Sequence, residues 1–475
     1  MSHEKFRPQY HFSPRKNWIN DPNGLCYFNG EYHLFYQYHP HSKVWGPMHW
    51  GHAVSTDLIQ WEHLPVALYP DELGQIFSGS VVVDHLNTSG LQVDQRKVMV
   101  AIFTHHKEGH ETQSIAYSRD EGRTWEKYHL NPVLDNPGLK DFRDPKVFWN
   151  ETHWVMSLAC GDHIRFYRSE DLLNWTYLSS FGHEYGAHGG VWECPDLIRF
   201  QTDAGEKWVL IVSINPGGPN GGSAIQYFTG SFDGKMFKPD QSKEVVKWAD
   251  YGRDFYAAVT WSNLAEPLWI GWMNNWQYAN EGPTHPFRGS MSIPRKLYLK
   301  EVEGKTMLVQ KPIEVTPLLK ERTESECICL KPEHAFSRVI QRQSSFQATI
   351  KSGFVAFDLS IKGEGEQLTI NFNPFKQCLK VDRTGLKLVQ FSKEFASVDS
   401  MSVKYVNDFH LFIDECSIEI FINQGTKVMT ELFYMNGDSF TLEWKANKTE
   451  LQAKYRLEEI SSIYEPALSH FEGRV

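Results

Sequence analysis

The sequence predicts an all-β protein in two parts, an N-terminal five-bladed β-propeller and a C-terminal β-sandwich domain. Two recurring phrases and one change of pattern predict it. The first phrase is Ser-x-Asp ahead of an aromatic residue: "STDLIQW" from Ser55, "SRDEGRTW" from Ser118, "SEDLLNW" from Ser169 and "SFDGKMF" from Ser231. The second runs out of phase with it, a polar or acidic turn that opens a strand and is followed by a turn and another strand. It reads "NDPNGLCYFNGEYHLFYQY" from Asn20, "FSGSVVVD" from Phe77, "FRDPKVFWNETHWVMSLA" from Phe142, "WECPDLIRFQTDAGEKWVLIVSI" from Trp192 and "FYAAVTWSNLAEPLWIGWM" from Phe255. Repeats of this length with no helical periodicity between them are the pattern of propeller blades, each of four antiparallel strands.

Each element follows from its residues. Trp61, Trp125 and Trp175 share one phase of the first phrase and belong to the blade cores. The second phrase marks the innermost strand of each blade. Those strands line the central channel, so residues at one end of them converge on the axis. Asp21, Asp144 and Glu193 occupy that phase in blades one, three and four. The propeller is assigned to residues 1–305. "LVQKPIEVTPLLKERTESE", from Leu308, is Pro-punctuated and charged, and 306–329 reads as a linker. Beyond it "FVAFDLSI", "QLTINFN", "FHLFIDECSIEIFIN" and "KVMTELFY" alternate apolar and polar residues between Gly, Asn and Asp turns, which assigns a β-sandwich to 330–475.

Composition narrows the function. The 475-residue chain has a formal net charge of −10 and 16 Trp in an aromatic fraction of 14%. Binding a nucleic-acid backbone needs a basic face, so nucleic acid is excluded as partner and a neutral substrate with flat apolar faces fits better. The seven cysteines are odd in number and scattered, which argues against a disulfide framework and for a reducing compartment. The N-terminus lacks the apolar core of a signal peptide and no run approaches a membrane span, so a cytoplasmic location without membrane contact is expected. A secreted protein whose signal peptide is absent from this chain is the alternative.

The three carboxylates carry the chemistry. Two acids facing each other across an aromatic-lined pocket are the minimal apparatus of glycoside hydrolysis. Asp21 is the candidate nucleophile. Glu193, flanked by Trp192, Cys194 and Pro195, is the candidate general acid, because apolar surroundings raise a carboxyl pKa. Asp144, beside Arg143, is expected to stay ionised and to hold sugar hydroxyls. "HWGH" at His49 and "HHKEGH" at His105 offer no three-ligand metal geometry and read as solvated or sugar-facing histidines. No cofactor and no metal is called for, since neither a phosphate-cradling Gly-rich loop nor a nucleophile elbow is present.

These residues also carry a resemblance. "WINDPNG" with Asp21, "FSGS" with Ser78, "FRDP" with Asp144 and "WECPD" with Glu193 resemble, in order and separation, the defining blocks of glycoside hydrolase family 32, the β-fructofuranosidases. "SIEIFINQG" at Ser417 resembles that family's sandwich segment, so the likeness spans essentially the whole chain. The resemblance implies a retaining double displacement on a terminal β-fructofuranosyl unit. Asp21 would attack the anomeric carbon, Glu193 would protonate the leaving oxygen and later activate water, and Asp144 would stabilise the transition state. It also implies a fructose pocket lined by Asn20, Gln37, Trp45, Phe77, Ser78, Arg143 and Trp276, and exo-action on fructans, fructo-oligosaccharides or sucrose. "DFYAAVTW" is closer in look to exo-acting levanases and inulinases than to sucrose-6-phosphate hydrolases. An invertase acting mainly on sucrose and a fructosyltransferase are the alternatives. An inverting arabinanase-type propeller and a sugar-binding propeller rank below them, and a homodimer is left open.

Overall fold

The computed structural model describes residues 4–203 and 205–464; the outermost residues assigned to the two domains, 1–3 and 465–475, lie outside it. The N-terminal part consists of five antiparallel sheets whose innermost strands are Asn17–Phe28, Gln75–Asp84, Arg143–Asn150, Val191–Thr202 and Tyr256–Thr260. Each inner strand contacts the next, and the fifth returns to the first, which closes the ring. Two parallel bridges complete the closure, Asn17–Phe287 with Trp18–Arg288, and Cys26–Ser262.

Burial falls from the axis outward. Tyr256–Thr260 is buried along its length, whereas the outer strand of the first blade, Glu62–Leu68, is half-buried or exposed at every residue but Leu68. Between neighbouring blades the facing side chains form separate cores. One example joins Val82, Val100 and Ile102 of blade two to Val147, Trp154 and Met156 of blade three. Trp61, Trp125 and Trp175 pack half-buried against three such cores. The Ser-x-Asp phrase closes the third strand of blades one to four, where its Asp accepts backbone N–H groups of the turn. Asp57 holds Ile59 and Gln60, Asp171 holds Leu173 and Asn174, and Asp233 holds Lys235 and Met236. That is the Asx-turn chemistry that makes Asp a turn residue.

The C-terminal part is two six-stranded antiparallel sheets around a core that includes Phe346, Phe357, Phe409 and Trp444. The segment expected as a linker, 306–329, is mostly strand. Lys305–Pro312 is the outer strand of the fifth blade, paired with Arg295–Val302, and Leu319–Leu330 is an edge strand of the sandwich, paired with Leu451–Ile460. Residues 313–318 alone connect the two. Lys305, Lys311 and Lys320 of these two strands are exposed, as residues on the outer face of an edge strand are.

The two parts meet over a wide face. Phe412, Phe421 and Val428 of the sandwich join the core between blades one and five. Beside them lies a buried ionic cluster in which Arg295 pairs with Asp250 at 3.0 Å and with Glu419, while His11 bridges Asp414 and Glu419 at 2.8 Å each.

Candidate active site

All five inner strands break register at the same end. Between Ile19 and Pro22, Ile76 and Gly79, Arg143 and Lys146, Glu193 and Asp196, and Tyr256 and Val259, each carries one residue more than its neighbour. A bulge of this kind turns successive side chains out of the pleat and re-aims them. Here it points Asn20 and Asp21, Phe77 and Ser78, Asp144, and Glu193 into one pocket. Asp144, Cys194 and Ala257 sit at bulges with φ of +64°, +47° and +52°. Residues other than Gly hold that region only where the surroundings impose it, at a cost of order 1–3 kcal/mol each.

The pocket has a volume of about 420 Å³ and is lined by all ten residues singled out from the sequence. Asp21 is held by Asn20, whose Nδ2 donates to Oδ1 at 2.9 Å, and by Ser78, whose hydroxyl donates to Oδ2 at 2.9 Å. Asn20 is itself fixed by the Trp18 indole N–H at 2.7 Å. The buried Cys194 thiol lies 3.5 Å from Asp21 Oδ2 and 3.6 Å from Asp144 Oδ2. Asp144 also accepts the Cys194 backbone N–H at 2.9 Å. Two acids of different blades thus share one neighbouring residue.

Glu193 Oε1 accepts from Arg143 Nε at 3.3 Å and Nη2 at 3.2 Å, and Oε2 accepts from the Tyr256 hydroxyl. Burial raises the Glu193 carboxyl above the ordinary value and Asp21 adds to the rise, against the pull of Arg143 and Tyr256. Asp144 differs from the sequence expectation. Burial pushes it up to about 8; Arg143 opposes this, while Glu193 and Asp21 reinforce it. The guanidinium next to it in sequence is turned elsewhere, onto Glu193, Glu111 and Asp141.

The pocket walls are aromatic. Phe77 stacks on His106 with centroids 4.4 Å apart and 9° between planes, and Trp45 meets Phe77 edge-on at the rim. Trp276 leans on Trp18 and Trp272. Gln37 is fixed from behind by donating to the Ile76 carbonyl at 3.0 Å.

Sequence reasoning missed Glu111, Asp141 and Tyr256. Glu111 is buried, accepts the Phe142 N–H at 2.6 Å and meets Arg143 Nη1 at 3.2 Å. It stands in "HHKEGHE", read only for its histidines. Those histidines are not solvated as a group. His105 is buried beside Ser114, His52 is buried against His33 and Phe35, and His106 faces the pocket. Asp141, two residues before Arg143, was a signal open to reading. Among the described residues, Asp162, His163 and His183 bring three metal-ligating atoms within 4.8 Å. His163 Nε2, however, lies 3.4 Å from the Arg165 Nε donor, which leaves the proton on Nδ1, given to Asp162 at 2.9 Å. Both nitrogens of His163 are thus engaged in hydrogen bonds, while His183 Nδ1 stands 3.7 Å from Asp162.

With this geometry, residues 11–312 match the glycosyl hydrolases family 32 N-terminal domain and residues 314–461 the family's C-terminal domain. The chain belongs to glycosyl hydrolase family 32. It is 48% identical over 472 residues to a levanase of Bacillus subtilis, covering 95% of this chain and 70% of that one. It is 40% identical over 491 residues to an extracellular exo-inulinase of Aspergillus ficuum, covering 92% and 91%. The crystal structure of exo-inulinase from Aspergillus awamori superposes with a TM-score of 0.92 at 35% identity, over 98% of this chain and all of that one. The family 32 assignment makes the protein a glycoside hydrolase of β-fructofuranosidase type. No helix of the described residues is long and apolar enough to cross a membrane.

Proposed function

We propose that this family 32 enzyme releases terminal β-D-fructofuranosyl units from fructans, fructo-oligosaccharides or sucrose, one at a time, by a retaining double displacement. The observation that carries the reading is the unlike setting of two carboxyls in one pocket. Asp21 accepts hydrogen bonds from Asn20 and Ser78, the setting of a carboxylate poised as nucleophile. Glu193 is raised by burial, the setting of an acid that keeps its proton.

In the first step an Asp21 oxygen forms a bond to the anomeric C2 of fructose as the C2–O bond to the leaving sugar breaks. Glu193 gives its proton to the departing oxygen. In the second step Glu193, now a base, takes a proton from water. The water oxygen bonds to C2, Asp21 leaves, and fructose departs with its starting configuration. Asp144, held by the Cys194 N–H, presents its carboxyl to ring hydroxyls, and Asn20, Gln37, Ser78 and Arg143 supply further polar contacts. The apolar walls are Trp45, Phe77 and Trp276. The levanase and exo-inulinase relatives favour a fructan or its oligosaccharides over sucrose phosphate. All seven cysteines are unpaired, which supports the cytoplasmic reading, whereas the word extracellular in the relatives' names favours the secreted one.

The test is product analysis over time on sucrose, 1-kestose, inulin and levan, with NMR of the first-formed anomer. Fructose alone, released first as the β anomer, is expected. Longer oligosaccharides accumulating from sucrose would make the enzyme a transferase, and the α anomer would make it inverting.

A further inference from the structure

The pocket's tryptophans are not held by the propeller alone. Trp276 lies in the segment 273–281 that follows the fifth blade's strand Leu268–Trp272. Its neighbours Asn275 and Gln277 are tied to Arg253. Asn275 is fully buried and donates Nδ2 to the Arg253 carbonyl at 2.8 Å, while Gln277 Oε1 accepts from Arg253 Nη1 at 2.8 Å. Arg253 is in turn gripped from the other domain, since its Nε donates to Asp399 Oδ1 at 2.7 Å and the Asp399 side chain is 1% exposed.

A second strut runs in parallel. The Tyr278 hydroxyl donates to Asp254 at 2.7 Å, Asp254 pairs with Arg383 of the sandwich at 2.9 Å, and the Tyr278 ring meets Phe395 of the sandwich edge-on at 5.2 Å. The same segment reaches the far wall of the pocket, because Asn280 Oδ1 accepts the backbone N–H of Trp45 at 2.8 Å. The strand Val398–Ser402 adds a two-way clasp to blade four, with Asn220 and Ser400 exchanging bonds of 3.0 and 2.9 Å.

We infer that the C-terminal sandwich is a positioning element of the sugar pocket: Asp399, through Arg253 and Gln277, sets the segment that places Trp276 and, through Asn280, Trp45. The inference rests on reading this pocket as the substrate site. Buried charge pairs hold one geometry because any other leaves a charge unpaired, so they suit the placing of a distant side chain. Misplacing a wall that binds ground state and transition state alike raises KM and leaves kcat.

The test uses the full chain. Gln277 is exposed, so Gln277→Ala cuts the strut above the buried cluster without opening it. It is expected to raise KM for 1-kestose about fivefold with kcat within twofold and Tm unchanged. Asp399→Ala is expected to raise KM further, and Asp399→Asn, which keeps an acceptor for Arg253, to recover part of the loss. In a double-mutant cycle, Gln277→Ala should cost less when added to Trp276→Ala than when made alone, since part of its effect runs through that ring and the rest through Trp45. Additive effects, or a lowered Tm with an unmoved KM, would overturn the proposal. If Trp276→Ala itself leaves KM unmoved, the reading of the pocket fails instead.

Discussion

Arg143 turns its guanidinium away from its sequence neighbour Asp144 and onto Glu193, with Nη2 3.2 Å from Oε1. Its remaining nitrogen, Nη1, is taken by Asp141 and Glu111. Because one cation holds the acid proposed as proton donor, the proposed mechanism ties the pH profile to how strongly Glu193 is pulled down against its burial.

The Tyr256 hydroxyl donates to the ionised form of Glu193 and so lowers its pKa. Tyr256→Phe removes that donor, and the pKa rises further. In the proposed mechanism activity needs protonated Glu193, so the alkaline limb of kcat/KM is expected to move to higher pH than in the wild type. A limb that stays or moves down would take Glu193 out of the acid role.

Asp21→Asn keeps the side chain's shape but removes the proposed nucleophile. A loss in kcat of about 10³-fold or more is expected, with circular dichroism and Tm close to wild type. Steady-state rates on 1-kestose check it, and a loss under tenfold would refute the assignment.

His11 ties the propeller's first segment to the sandwich. Burial opposes its charge, but Asp414 and Glu419 outweigh burial and lift its pKa to about 9. A folded pKa raised above the ordinary value of 6.5 gives stability that is full below 6.5 and lost as pH rises through about 9. The wild type should therefore lose on the order of 3 kcal/mol between pH 6 and 10 from this group, and His11→Gln should flatten that part of the curve. Urea unfolding across the pH range measures it.

Near the axis, Lys146 of blade three pairs with Asp196 of blade four at 3.3 Å, and both hold Thr260 of blade five. The two side chains are 9% and 2% exposed. Lys146→Met strands Asp196 and is expected to destabilise the fold by about 3–5 kcal/mol. Replacing both residues by apolar ones of like volume should cost much less, which a urea titration of the two variants decides.

The repeat of strand phrases determined the propeller by itself, because each copy sets a polar or acidic turn ahead of a strand and no helical periodicity lies between the copies. The phase of that repeat brought Asp21, Asp144 and Glu193 together, and the family likeness supplied the seven pocket residues around them. The Ser-x-Asp phrase was legible because an Asp that caps its own turn needs no distant partner. What tertiary structure decided was of another kind. The linker dissolved into two edge strands, since charge on an edge strand and charge in a loop look alike in a sequence. The five aligned bulges, the placing of Glu111 beside Arg143 and of Tyr256 beside Glu193, and the direction of Arg143 depend on contacts between blades far apart in the chain. So does the pKa of Asp144: its sequence neighbour is a cation, but burial among two other acids outweighs that neighbour.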